Sequence, residues 1–164
     1  MKIVSRLDAQ QMRALSWANF LDDYRIGLSL QDRYSTVQGT VLLGETPPIE
    51  TRSLYELPLE KDSWGLGYSE QAVSIPLNVF GLMHTRSKFA RVGLDMMSSS
   101  SYVAPGFGSE EPAHIVFEIT ARTKIDLSAV RGVPIVSMIL FSFSSAADPV
   151  LSANDYTKRF PFGM

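Results

Sequence analysis

Two arginines, Arg86 and Arg91, bracket Ser87 and Lys88, and further along a glutamate, Glu118, stands in the apolar run Ile115-Val116-Phe117-Glu118-Ile119. A guanidinium keeps its charge and offers forked N–H donors to oxygen, and a neighbouring hydroxyl adds a short, adjustable hydrogen bond. With Lys88 beside them, these groups suit an anion that carries several oxygens. A carboxylate among apolar neighbours is desolvated, which raises its pKa and fits it to take and return a proton near neutral pH. Two plainer readings stand beside these. Arg86 and Arg91 can form surface ion pairs, and the two-residue period of a strand can turn Glu118 towards solvent.

Other chemistries are excluded by residue type. The chain has no cysteine, which removes disulfides, thiol nucleophiles and thiolate metal sites and fits a reducing cytoplasm. Its two histidines, His84 and His114, have no Asp or Glu at ligand spacing, so no protein-held metal is expected and both read as surface or turn residues. There is no Walker loop, and Gly65-Leu66-Gly67 lacks the third glycine and the helix of a dinucleotide fingerprint. Fifteen basic and seventeen acidic side chains give a net charge of -2, so no global field draws nucleic acid or an anionic membrane, and any anion site must be local. No apolar run approaches the roughly 20 residues that span a bilayer. The start, Met1-Lys2-Ile3-Val4-Ser5-Arg6, lacks the apolar centre of a secretory signal. A soluble, cytoplasmic protein is the expectation.

The elements that must position these side chains are mostly strands. A chain of 164 residues, 45% hydrophobic, suits a single domain over 1–164, and nine prolines with eleven glycines among short apolar runs predict a turn-rich, all-β protein. One short N-terminal helix is expected between Asp8 and Phe20, where Met12, Leu15, Trp17 and Phe20 recur at helical spacing and Asp8 can cap. Strands are expected at Tyr24–Leu30, Tyr34–Leu43, Ala72–Ile75, Val79–His84 and Val92–Met96, with Ile115–Ile119 and Ile135–Phe143 central. Thr46–Ser53, with Pro47 and Pro48, reads as an exposed turn or arm. Ser98–Ser101 with Pro105, Gly106 and Gly108 is a second irregular stretch. Trp17 and Trp64 are assigned to packing.

The run Arg86-Ser87-Lys88-Phe89-Ala90-Arg91-Val92-Gly93-Leu94 resembles the R-S-S-x-A-R-x-G-L signature of the dCTP deaminase and dUTPase superfamily. Several further segments resemble that superfamily in the same order: Ile75-Pro76-Leu77 before the signature, Pro105-Gly106-Phe107 after it, Ile115–Ile119 as the strand that carries the deaminase glutamate, and Arg131–Ile135 with Leu140–Phe143 as the late strand. A fainter likeness covers Arg25–Tyr34, with Gly27 where the family has an aspartate. Tyr156, Lys158, Arg159 and Phe160 loosely resemble the K-Y-x-x-Q tail, without its glutamine.

The resemblance implies a dUTPase-like β-barrel or distorted jelly roll, assembled as a homotrimer with active sites shared between subunits. It implies hydrolytic deamination of a pyrimidine deoxynucleotide, dCTP to dUTP with release of ammonia, without the His and Cys zinc ligands of other base deaminases. In that scheme Glu118 moves the proton, Arg91 positions the water and the cytosine edge, and Ser87 supplies a hydroxyl. Arg86, Ser87, Lys88, Ser100, Tyr102, Tyr156 and Lys158 contact the substrate, and residues 144–164 form a tail that folds over it; a solvated basic tail is the plainer reading of Lys158 and Arg159. Magnesium enters through the nucleotide phosphates.

The chain also departs from the pattern. Ala104 replaces the aspartate that activates water for pyrophosphate hydrolysis, Lys88 replaces a small residue, and Gly108–His114 forms a long loop carrying Glu110 and Glu111. Two alternatives follow. One is a binding or regulatory protein that keeps the fold; the other is a dUTPase-type pyrophosphatase with Asp95 or Glu110 as the base.

Overall fold

The computed structural model describes residues 4–39, 48–97 and 100–143. In chain order these form β1 (Val4–Arg6), α1 (Ala9–Arg13), β2 (Ile26–Leu28), β3 (Leu30–Val37), β4 (Ile49–Arg52), β5 (Ser63–Val73), β6 (Val79–Thr85), α2 (Ser87–Ala90), β7 (Leu94–Asp95), β8 (Tyr102–Val103), β9 (Ala113–Ala121) and β10 (Val136–Phe143). The fold is mostly β-sheet. Among the described residues no helix is long and apolar enough to cross a membrane.

The strands pair antiparallel into two sheets. In the first, β10 is flanked on one side by β1 and β2 and on the other by β6, which carries β8 at its edge. In the second the order is β4-β3-β5-β9-β7. Ile26, Leu28, Met83, Val136 and Met138 from the first sheet and Tyr34, Leu94, Phe117 and Ile119 from the second join one buried cluster. The period of two decides which residues enter it: along β9, Ile115, Phe117, Ile119 and Ala121 are buried while the residues between them turn away. Gly65 and Gly67 of β5 leave the room these core side chains fill. A Cβ on Gly65 would lie 2.5 Å from the Tyr34 ring and one on Gly67 2.5 Å from Ile119 Cδ1. The Gly65-Leu66-Gly67 triplet is therefore a packing device.

Asp8 caps α1 as its sequence context predicts. Its side chain accepts the Gln11 N–H while the Gln11 side chain accepts the Asp8 N–H, a reciprocal capping box. The helix stops at Arg13, well short of Phe20. Met12 is fully buried, and the half-buried Trp17 donates its indole N–H to Ser74 O at 3.0 Å.

Other boundaries also move. Tyr24–Leu30 shortens to β2, and β3 starts at Leu30 and continues through Arg33, shifting its register against β5 between Leu30 and Tyr34; the Arg33 guanidinium lies over the Tyr68 ring. Part of the expected arm, Ile49–Arg52, is instead β4, paired with Val37–Tyr34, and Ser35 and Thr51 hydroxyls meet at 2.9 Å across that pair. Of Ala72–Ile75 only Ala72 and Val73 are strand, the end of a long strand that starts at Ser63. Residues 40–47 of the expected strand and arm lie outside the described residues, as do Ser98 and Ser99 and the tail 144–164.

Asp32 clasps the turn after β4. Its carboxylate accepts the Ser53 hydroxyl at 2.6 Å, the Leu54 and Tyr55 N–H groups, and the Arg131 guanidinium at 2.6 Å. The Ser53 hydrogen bond above all, then the Tyr55 N–H and the Arg131 charge, hold this carboxyl below its ordinary pKa. Tyr55 hydrogen-bonds Leu30 O at 2.8 Å, and burial pushes its phenol up to about 12.

Candidate functional site

The segment from Arg86 to Gly93 is fastened at both ends. Arg86 donates its backbone N–H to Ile135 O at 2.9 Å and its Nη1 to Pro134 O at 2.8 Å, which ties the start of α2 to the start of β10. Phe89 is buried beneath the single helical turn. Gly93 then reverses the chain at a φ of +88°, a left-handed conformation that a side chain disfavours. Its N–H reaches Ala90 O at 3.0 Å, and its carbonyl accepts Arg122 N–H at 2.8 Å, just past the end of β9. The expected strand Val92–Met96 is thereby cut to β7.

This frame leaves Ser87, Lys88 and Arg91 exposed on one short stretch, with the Lys88 ammonium 4.7 Å from the Phe89 ring centre. Neither Arg86 nor Arg91 forms an ion pair among the described residues.

Glu118 sits on β9 opposite Leu66 of β5. Its neighbours along the ladder are Val116 opposite Tyr68 and Thr120 opposite Trp64, so all six side chains share the face turned away from the buried cluster. Glu118 is half-buried there, whereas Val116 is 49% and Trp64 45% exposed. Trp64 is thus not a packing residue of this chain, because the alternation of β5 places it outside while Gly65 faces in. Its cross-strand partner Leu66 and its strand neighbour Val116 are apolar, but the alternation of β9 turns Glu118 away from the core, as the plainer reading of that strand has it.

At the edge of the same sheet, Leu94 pairs with Ala121 and Asp95 with Thr120, and Met97 bridges to Glu118. Between β6 and β7 opens a cleft of about 540 Å³ whose polar lining is His84, Thr85, Asp95, Ser101 and Arg122. Asp95 Oδ1 accepts the Met97 N–H at 3.0 Å and the Thr85 hydroxyl at 3.2 Å. Ser87, Arg91 and Glu118 do not line this cleft.

The expected site residues are therefore grouped, but not all together. Arg86, Ser87, Lys88 and Arg91 lie beside the ends of β9 and β10. Glu118 stands three residues before Ala121, roughly 10 Å back along its strand. Tyr102, 47% exposed, is at the far edge of the first sheet opposite Leu82, its ring 5.8 Å from Phe80, and its N–H donates to Ser100 Oγ at 3.3 Å. Tyr156 and Lys158 lie outside the described residues.

The histidines fall on strands, not in turns. His84 is exposed on β6 and His114 is half-buried on β9 with Nδ1 2.8 Å from Ser69 O. The described residues contain no group of three His, Asp or Glu placed to hold a metal ion. Ala104 is half-buried in the turn before Phe107, whose N–H reaches its carbonyl at 3.2 Å. At Gly27 a Cβ would lie 2.8 Å from both Leu21 Cδ2 and Pro134 Cβ.

Residues 28–143 match the model of the dCTP deaminase-like family. The chain belongs to that family. This dCTP deaminase-like chain is 27% identical over 95 residues to the dUMP-forming dCTP deaminase of Leifsonia xyli subsp. xyli, covering 58% of this chain and 45% of the relative. It is 26% identical over 108 residues to the protein of the same description from Corynebacterium jeikeium, covering 62% and 55%. The chain spans about half the length of the curated relatives it matches. The crystal structure of 2'-deoxycytidine 5'-triphosphate deaminase from Agrobacterium tumefaciens shares the fold, with a TM-score of 0.60 at 14% identity over 85% of this chain and 48% of that one.

Proposed function

We propose that this chain is a nucleotide enzyme that deaminates dCTP to dUTP by hydrolysis, with release of ammonia. The observation that carries the reading is the fastened Arg86–Gly93 segment, with Ser87, Lys88 and Arg91 exposed and its last carbonyl bonded to Arg122, the residue after the strand of Glu118. Membership of the dCTP deaminase-like family supports it.

In this reading Glu118 takes one proton from the water as its oxygen bonds to C4 and passes it to ring N3, then moves the second proton from the new hydroxyl to the amine, which leaves as ammonia as the C4 carbonyl forms; half-burial beside Leu66 favours such a group. Arg91 orients the water and the cytosine edge, and Ser87 binds by its hydroxyl. Lys88 contacts the phosphates, with Ser100, Tyr102, Tyr156 and Lys158 as further substrate contacts and 144–164 as a tail over the nucleotide. Arg86 contributes through its remaining donors, since one is given to Pro134 O. Magnesium arrives on the phosphates, which are the oxygen ligands it prefers.

Three copies, each a β-barrel or distorted jelly roll, would share these sites as a homotrimer. Support comes from the face around Glu118, where Trp64 and Val116 are about half exposed in one copy, more than an isolated subunit needs. The curated relatives are described as dUMP-forming. For this chain dUTP is proposed as the product, because Ala104 has no carboxylate to activate water for the second hydrolysis.

A nucleotide-binding or regulatory role is the second reading. It is favoured by Gly27, where the family's aspartate would collide with Leu21 and Pro134. Incubation with dCTP and magnesium separates the two: conversion to dUTP supports the enzyme, and binding of dCTP with no product supports the regulator.

A further inference from the structure

Asp95 is a second carboxylate on the face that carries Glu118. It pairs with Thr120, and Glu118 is two residues further along β9, so the two are diagonal neighbours on adjoining strands. Such neighbours lie roughly 7–8 Å apart. Two carboxylates at that spacing can converge on one group of a bound ring.

The hydrogen bonds around Asp95 divide its two oxygens. Oδ1 is engaged by the Met97 N–H and the Thr85 hydroxyl, whereas Oδ2 has no partner among the described residues. The carboxylate is held from behind and open on its other side, a preorganised acceptor. An acceptor held on one oxygen and open on the other suits an N–H donor.

We propose that Asp95 determines specificity by reading the exocyclic amino group of an aminopyrimidine nucleotide. This rests on the nucleotide reading given above and adds to it a residue that selects the base. The amino group of cytosine donates to Oδ2, whereas the 4-oxo group of uracil would set a lone pair against the carboxylate. The same contact that holds the substrate then repels the deaminated ring and aids its release. A site built to accept an N–H discriminates against an analogue that lacks it, because the acceptor is left unpaired.

The test is calorimetric titration of dCTP and dUTP, with magnesium, into the Glu118→Gln protein, which blocks turnover, and into the same protein carrying Asp95→Asn. The parent is expected to prefer dCTP by on the order of tenfold or more. With Asp95→Asn the preference should collapse, since an amide can turn to offer either a donor or an acceptor. Thr85→Val provides a second route that keeps the carboxylate but removes a bond that fixes it, and the preference should narrow several-fold. A parent without preference for dCTP, or a preference untouched by either variant, overturns the role of Asp95 and leaves the nucleotide reading standing. Failure of the wild-type protein to bind either nucleotide overturns both.

Discussion

The Thr85 hydroxyl joins the end of β6 in one sheet to Asp95 in the edge strand of the other, donating to Oδ1 at 3.2 Å while accepting the Met96 N–H at 2.9 Å. Replacing Thr85 by valine keeps the shape but leaves that N–H without its acceptor. Chemical denaturation should show Thr85→Val less stable by about 1 kcal/mol. An unchanged midpoint and slope would show that this corner of the two sheets is held by packing alone.

Gly93 is the pivot between the Arg86–Arg91 segment and β7. An alanine there would have to adopt a φ of +88°, with its Cβ 3.2 Å from Arg122 Cβ. The expected cost is about 1–2 kcal/mol in thermal or denaturant unfolding. Weaker nucleotide binding should accompany it, because the turn that presents Arg91 shifts relative to β9.

At Gly65 the constraint is volume, not backbone angle. The Tyr34 ring occupies the space a side chain would need, at 2.5 Å from an added Cβ. Gly65→Ala should destabilise the fold by about 1–3 kcal/mol through overpacking. Wild-type stability in that variant would mean that the ring moves aside freely, against its near-complete burial.

Much of this arrangement is legible in the sequence, and the parts that are not share a physical cause. The apolar runs around Ile115–Ile119 and Ile135–Phe143 announce β9 and β10, because strands that fill a core need little but hydrophobic side chains in alternation. Asp8 with Gln11 announces the start of α1 through local hydrogen bonding, whereas its end depends on how Leu15 and Trp17 meet the core. The strand at Ser63 is hidden by Gly65 and Gly67, whose value lies in what Tyr34 and Ile119 place against them. Polar β4 is hidden for a related reason: it is held by its ladder to β3, not by burial. The type and order of the residues from Arg86 to Glu118 show in the sequence as a motif. The pairing of Asp95 with Thr85 does not, since it joins two sheets through side chains that look unremarkable in one dimension.

The Asp32 clasp sets an acid limit. Its carboxyl is held below the ordinary pKa, first by the Ser53 hydroxyl, so the stability it contributes is present above the usual carboxylate value of about 4 and is lost as pH falls through the folded value. Asp32→Asn cannot titrate. The difference in Tm between wild type and Asp32→Asn should therefore be largest near neutrality and shrink as the pH is lowered towards 3. A difference that stays constant over that range would show that the carboxylate charge does not matter to the clasp.

The central claim is that Glu118 moves the proton in hydrolytic deamination. Its most direct test is incubation of the wild-type and Glu118→Gln proteins with dCTP and magnesium, with products resolved by ion-exchange chromatography. The account predicts dUTP and ammonia from the wild type, no dUMP, and loss of turnover in Glu118→Gln with dCTP binding retained. Equal turnover by both proteins would contradict the role of Glu118. Absence of any product from the wild type would contradict the deaminase itself.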